Sequence, residues 1–181
     1  MDNLRKDWQD ANVAIQRESN SYESIVNGNR KTALQNLADR YKRFSVMGII
    51  LIMLSMSYMF NPAIFPGNMR WRIGVGIAFA LYALTASMMD LWLYNGIRSI
   101  DVVTMSVREV IAKALFYKKR HLQFIAVLLP FVLAIIGAFF WKGDNIYFRL
   151  GILVGFIAGT AMGIFHLMNF LADYRTIISE D

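Results

Sequence analysis

The run LGILVGFIAGTAMGIFHLMNFL, residues 150–171, decides how the chain is read. Four glycines stand in it at a spacing of four: Gly151, Gly155, Gly159 and Gly163. On a helix that spacing stacks them along one side. In water each would cost about 1 kcal/mol relative to Ala. In a membrane the same residues make a smooth groove that lets another helix come close. The run therefore reads as the packing spine of a small membrane bundle.

Composition points the same way. The chain has 181 residues, 56% of them hydrophobic, and the apolar residues are concentrated in a few runs, as in membrane proteins. There is no Cys, which excludes a disulfide framework, thiol chemistry and thiolate metal sites. A net charge of +6 would suit nucleic acid, but the basic residues cluster beside apolar runs. There they set topology and meet anionic lipid. The lipid bilayer is thus an expected partner and nucleic acid is not. The first 43 residues are polar, so no cleavable signal peptide is expected.

Outward from the glycine run, four apolar segments emerge. The first is about 45–60, short for a ~30 Å hydrocarbon layer unless the preceding helix runs into it. The second runs from Arg70 or Trp71 to Tyr94, with Trp71 at one interface and Trp92 and Tyr94 at the other. The third is 122–141, with Pro130 inside, which a membrane helix tolerates. The fourth is the glycine run. A soluble four-helix bundle would need a polar face on every helix, and 45–60, 122–141 and 150–171 have almost none.

The segments between are polar. In 1–43, Leu4, Trp8, Ala11 and Ile15 step by four, three and four, one face of an amphipathic helix, expected first to pack on the protein's own cytoplasmic loops and otherwise to dock a soluble partner. Asn27-Gly28-Asn29 reads as a turn. A second helix follows, with Leu34, Leu37, Tyr41 and Phe44 on one face. In 96–120, Val103, Val107, Val110, Ala114 and Tyr117 share one stripe. The expected organisation is a cytoplasmic helical segment 1–43, a hairpin 44–95, a cytoplasmic amphipathic helix 96–120, a second hairpin 121–171 and a tail 172–181. Lys and Arg number fifteen on the side of the termini and four on the other. The positive-inside rule then places both termini in the cytoplasm.

The two hairpins repeat one unit. Tyr41-Lys42 recurs as Tyr117-Lys118, and Ala38 as Ala114, at an offset of 76. At 77, Arg72-Ile73-Gly74 recurs as Arg149-Leu150-Gly151, and Arg98-Ser99-Ile100 as Arg175-Thr176-Ile177. Both units start on the same side, so the repeat is parallel. Gly74 and Ala78 then occupy the places of Gly151 and Gly155. The small-residue faces of spans two and four are expected to meet across a pseudo-twofold axis. The competing use of the stripe is homodimerisation, which would make a homo-oligomer.

Chemistry is sparse. Asp90 and His166 are the ionisable residues well inside the apolar runs, and intramembrane charge is costly enough to suggest function. Asp90 lies roughly 28 Å along the helix from Trp71, so both sit near the cytoplasmic boundary. They read as a pair that fixes helix rotation in preference to a proton-coupled or ligand site. No Walker or dinucleotide glycine loop, metal constellation or paired membrane carboxylates are present. An enzyme, a cofactor and a bound metal are therefore not expected.

Leu4-Arg5-Lys6-Asp7-Trp8, then Asn12 and Ile15, then Leu37-x3-Tyr41-x2-Phe44 before a span, resembles small inner-membrane proteins of Bacteroidota encoded beside extracytoplasmic-function sigma factors. The resemblance covers about the first quarter of the chain and implies a regulatory, anti-sigma-like role. The zinc-binding His and Cys motif of one anti-sigma class is absent. The expected fold is all-α: a polytopic membrane protein of four spans in two repeated hairpins, with cytoplasmic amphipathic helices. The expected function is non-enzymatic, with Leu4, Trp8 and Ile15 offered to a cytoplasmic protein partner. The alternative is a small transporter or transporter subunit using Asp90 and His166.

Overall fold

The structure is a computed structural model that describes residues 2–60, 68–142 and 146–179. Residues 61–67 and 143–145, between the two expected spans of each hairpin, lie outside the described residues. The described residues form four helices: α1 Asp2–Phe60, α2 Met69–Arg98, α3 Val107–Lys142 and α4 Ile146–Ile178. Three of them, α2, α3 and α4, are long and apolar enough to cross a membrane. The fourth expected span, 45–60, is the far end of α1 and includes residues whose side chains are not described.

The ends of the helices follow local chemistry. Asn68 caps α2, its side-chain Oδ1 accepting from the Trp71 N–H at 2.9 Å. Ser106 and Glu109 make a reciprocal box at the start of α3. The Ser106 N–H donates to the Glu109 carboxylate at 2.9 Å, and the Glu109 N–H faces the Ser106 hydroxyl at 3.4 Å. Between α2 and α3 the Asp101 carboxylate accepts from the Val103 N–H and the Thr104 hydroxyl, both at 2.9 Å, and closes a compact turn.

Two boundaries differ from expectation. The turn at Asn27-Gly28-Asn29 is absent, and α1 runs through it without a break. The Thr32 hydroxyl donates back to the Gly28 carbonyl at 3.0 Å. A helix anchored on both sides pays only about 1 kcal/mol for an internal Gly, less than the cost of a new nucleus. The helix expected at 96–120 is also divided. Its first residues complete α2, a turn follows, and 107–120 is continuous with the third apolar run. Val103 therefore stands in the turn and is 83% exposed, while Val110 and Ala114 of the same stripe are buried.

The helices form a ring. Neighbours α1–α2, α2–α3, α3–α4 and α4–α1 run close along their backbones; among the described residues the diagonal pairs do not, although the side chains of Tyr41 on α1 and His121 on α3 meet across the centre. The expected meeting of spans two and four therefore does not occur. The largest interface is the α1–α2 hairpin. Gly48 faces Ser87, and eleven residues on Met59 faces Gly76, eleven residues back. The two helices thus keep one antiparallel register along the apolar segment.

The core lies at the end of the bundle where the C-terminal end of α4 packs on the middle of α1. Leu37, Tyr41, Leu93, Ile97, Val110, Ala114, Tyr174 and Ile177 are all at most 1% exposed. Buried positions correspond between the hairpins: Leu93, Ile97 and Ile100 close α2, and Phe170, Tyr174 and Ile177 close α4. By contrast, the most apolar windows of α3 and α4 contain no residue buried within the chain. Beyond the core, α1 continues as an arm. Every side chain from Asn12 to Ser19 is exposed.

Candidate functional site

Three features were candidates from sequence: a glycine stripe, a polar pair and an amphipathic N-terminal face. The stripe faces open space. A Cβ at Gly151, Gly155, Gly159 or Gly163 would meet nothing within 4 Å, and the same holds at Gly74. Ala78 is exposed and, with Gly74, lines a groove toward α3. Internal packing of this stripe is thus corrected: spacing placed these residues on one face, but the ring puts no helix over it. The close approaches occur elsewhere. A Cβ at Gly48 would land on the Ser87 hydroxyl, one at Gly76 on the Met59 side chain and one at Gly96 on the Tyr117 ring. The signal for Gly48 and Gly76 was present in the sequence. Ser45, Gly48 and Ser55 on α1 and Gly76, Ala83 and Ser87 on α2 recur at three- to seven-residue steps, and all six are buried.

Asp90 and His166 do not pair. They sit on α2 and α4, opposite corners of the ring. His166 stacks edge-on against Phe44 of α1, with centroids 5.2 Å apart. Asp90 is half-buried on α2. Equal depth along two helices did not make them neighbours.

The polar centre of the molecule is Tyr41, which the sequence placed on an apolar face and in the repeated unit but not in a polar cluster. Its hydroxyl is hydrogen-bonded to Nδ1 of His121, at the start of the third apolar run, and to the Tyr174 hydroxyl at 3.1 Å. It thereby joins α1, α3 and α4 through one oxygen. Burial, above all, raises the Tyr41 phenol far above its ordinary range, so it stays neutral. A neutral phenol has one proton, so one of the two partners must donate to it. The ring of Phe170 packs against both Tyr41 and His121, with centroids 4.8 and 4.7 Å away. Beside them Arg40 and Asp173 form an ion pair at 3.1 Å, and Arg30 donates to the Ser179 carbonyl at 2.9 Å. Each contact ties α1 to the end of α4. His121 escaped notice because it follows Lys118-Lys119-Arg120 and reads as one more boundary residue.

The chemistry of this cluster is that of a lock. It has a satisfied phenol and an imidazole walled by rings, and it ties three helices together. Among the described residues no group of three or more His, Asp or Glu side chains is placed to hold a metal ion.

The N-terminal face is the third feature. Trp8 is 69% exposed and Ile15 is 64% exposed. The side chain of Leu4 lies outside the described residues. Comparison with family models, with curated proteins and with solved structures gave no match.

Proposed function

We propose that this chain is a non-enzymatic, multi-pass inner-membrane protein that presents its N-terminal helix to a cytoplasmic protein partner, in a regulatory, anti-sigma-like role. The observation that carries this is the exposed Trp8–Ile15 face on an arm that leaves a locked bundle. An exposed Trp on a patterned helix is a common anchor at protein interfaces. The arm from 2 to 29 carries five acidic and three basic residues. It is therefore poorly suited to lying on an anionic membrane surface, which favours a protein partner.

Four spans, cytoplasmic termini and a duplicated hairpin belong to the same reading. Residues 45–60 pair in register with α2, so they share whatever medium surrounds it. The buried positions that correspond between the two hairpins support duplication. The transporter alternative has less to stand on, because Asp90 and His166 are on helices that do not touch.

A photo-crosslinking residue placed at Trp8 in the full-length protein, in its native membrane, tests the proposal. One defined protein adduct is expected, lost when Ile15 is changed to Asp. Adducts to lipid alone would sink it. A reporter fused after Asp181 should be active in the cytoplasm, and activity outside the cell would overturn the orientation.

A further inference from the structure

We propose that the lateral groove between α2 and α3 binds one acyl chain of a phospholipid whose phosphate is held at Arg70. This stands apart from the partner proposal. It requires only that the apolar runs of α2 and α3 lie in lipid.

The groove has a volume of about 570 Å³, within the ~300–1,000 Å³ range of small-molecule sites. It exists because the two helices close at one end only. At the core end the Tyr117 ring covers Gly96, and no side chain larger than Gly would fit there. Toward the other end small residues line both walls, Gly74 and Ala78 on α2 and Ala134 and Ala138 on α3. Facing small residues usually let two helices touch. Here the helices stay apart, and the space between them is long, narrow and apolar. An apolar space of this kind does not hold water well. A membrane helix, about 10–12 Å across, would have to part α2 from α3 to enter. A single hydrocarbon chain would not.

Charge selects the lipid class. Arg70 is the one charged residue among those lining the groove, and it stands at the mouth beside Trp71. Trp marks the level of lipid headgroups, and a guanidinium fork matches a phosphate. From Arg70 to Met89 the lining extends roughly 28 Å along α2, close to the thickness of the hydrocarbon layer. A chain that enters at the Arg70 end is therefore covered over its whole length.

The test uses the full-length protein in mild detergent, with bound lipid read by native mass spectrometry. It is loaded with dipalmitoyl phosphatidylglycerol or with dipalmitoylglycerol, which has the same chains and no phosphate. One phosphatidylglycerol per chain should remain under activation that strips bulk lipid. Filling the groove with Ala78→Leu and Ala134→Leu together should abolish retention of both lipids. Arg70→Gln, an exposed change outside the core, should weaken phosphatidylglycerol about tenfold, the loss of one charge-assisted contact, and leave dipalmitoylglycerol unchanged. No retained lipid in the wild type, retention unaltered in the filled variant, or equal weakening of both lipids by Arg70→Gln would each overturn the proposal.

Discussion

The two halves of this molecule are packed by different rules. In the half near the C-terminus the buried residues are large: Tyr41, Leu37, Leu93, Ile97, Phe170 and Tyr174. In the apolar half the buried residues, among those described, are Ser45, Gly48, Ser55, Val75, Gly76, Ala83 and Ser87, none larger than Val and all in the α1–α2 hairpin. Water explains the first set, since removing large apolar side chains from it is favourable at about 25 cal/mol per Å². Lipid offers no such drive. Helices there are held by close backbone approach, which only small residues permit. The difference teaches why α3 and α4 bury nothing along their most apolar windows, and why the bundle is anchored at one end.

The largest effect should come from truncating the anchored core. Leu37→Ala or Ile97→Ala is expected to cost about 2–5 kcal/mol, as for other buried aliphatic truncations. Val154→Ala, on a residue 64% exposed on α4, should cost less than ~1 kcal/mol. Thermal unfolding in mild detergent, followed by circular dichroism, measures both. Equal losses would break the comparison.

The next effect separates the two sets of glycines. Gly48→Ala should destabilise by about 1–3 kcal/mol, because its Cβ meets Ser87 and the Ala83 carbonyl, the latter at 3.2 Å. Gly155→Ala should cost nothing, since it meets open space. Ser87→Ala removes a buried hydroxyl that has no hydrogen-bond partner. It should be near neutral alone and should partly rescue Gly48→Ala, a coupling that a double-mutant cycle reads directly.

Tyr41→Phe should follow at roughly 1–3 kcal/mol, because it strips both His121 and Tyr174 of a partner. If it proved neutral, the lock would be shape alone.

The smallest effect lies in the α2–α3 turn. The Val103 N–H, above all, holds the exposed Asp101 carboxylate below its ordinary range. A group whose folded value is lowered stabilises above the usual carboxylate range. That contribution is lost as pH falls through the folded value. Asp101→Asn should therefore lower the melting temperature slightly near pH 7 and converge with wild type as pH falls below the ordinary carboxylate range. A gap that persists in acid would assign Asp101 a role beyond its charge.

Much of the fold was legible because it is local. Apolar runs, basic boundaries and the Val110–Ala114–Tyr117 stripe each depend on a few neighbouring residues, and each lies on the expected helix. The site was less legible. Gly151 to Gly163 share a face as their spacing requires, but spacing cannot say what covers a face. Asp90 and His166 have matching depths and opposite corners. Tyr41, His121 and Tyr174 are far apart in sequence and of ordinary type, and only chain closure brings them to one oxygen.

By itself, then, the sequence determined that the chain is helical, where its apolar lengths fall and which residues share a stripe. These follow from a 3.6-residue period and the preference of each side chain for its medium. The tertiary structure alone decided that the helices form a ring, that Gly48 and Gly76 rather than the four-glycine stripe carry the close contacts, and that Tyr41 is the lock. Helix adjacency is a long-range choice among faces of similar apolarity. It is settled by which surfaces fit together and not by the period that created them.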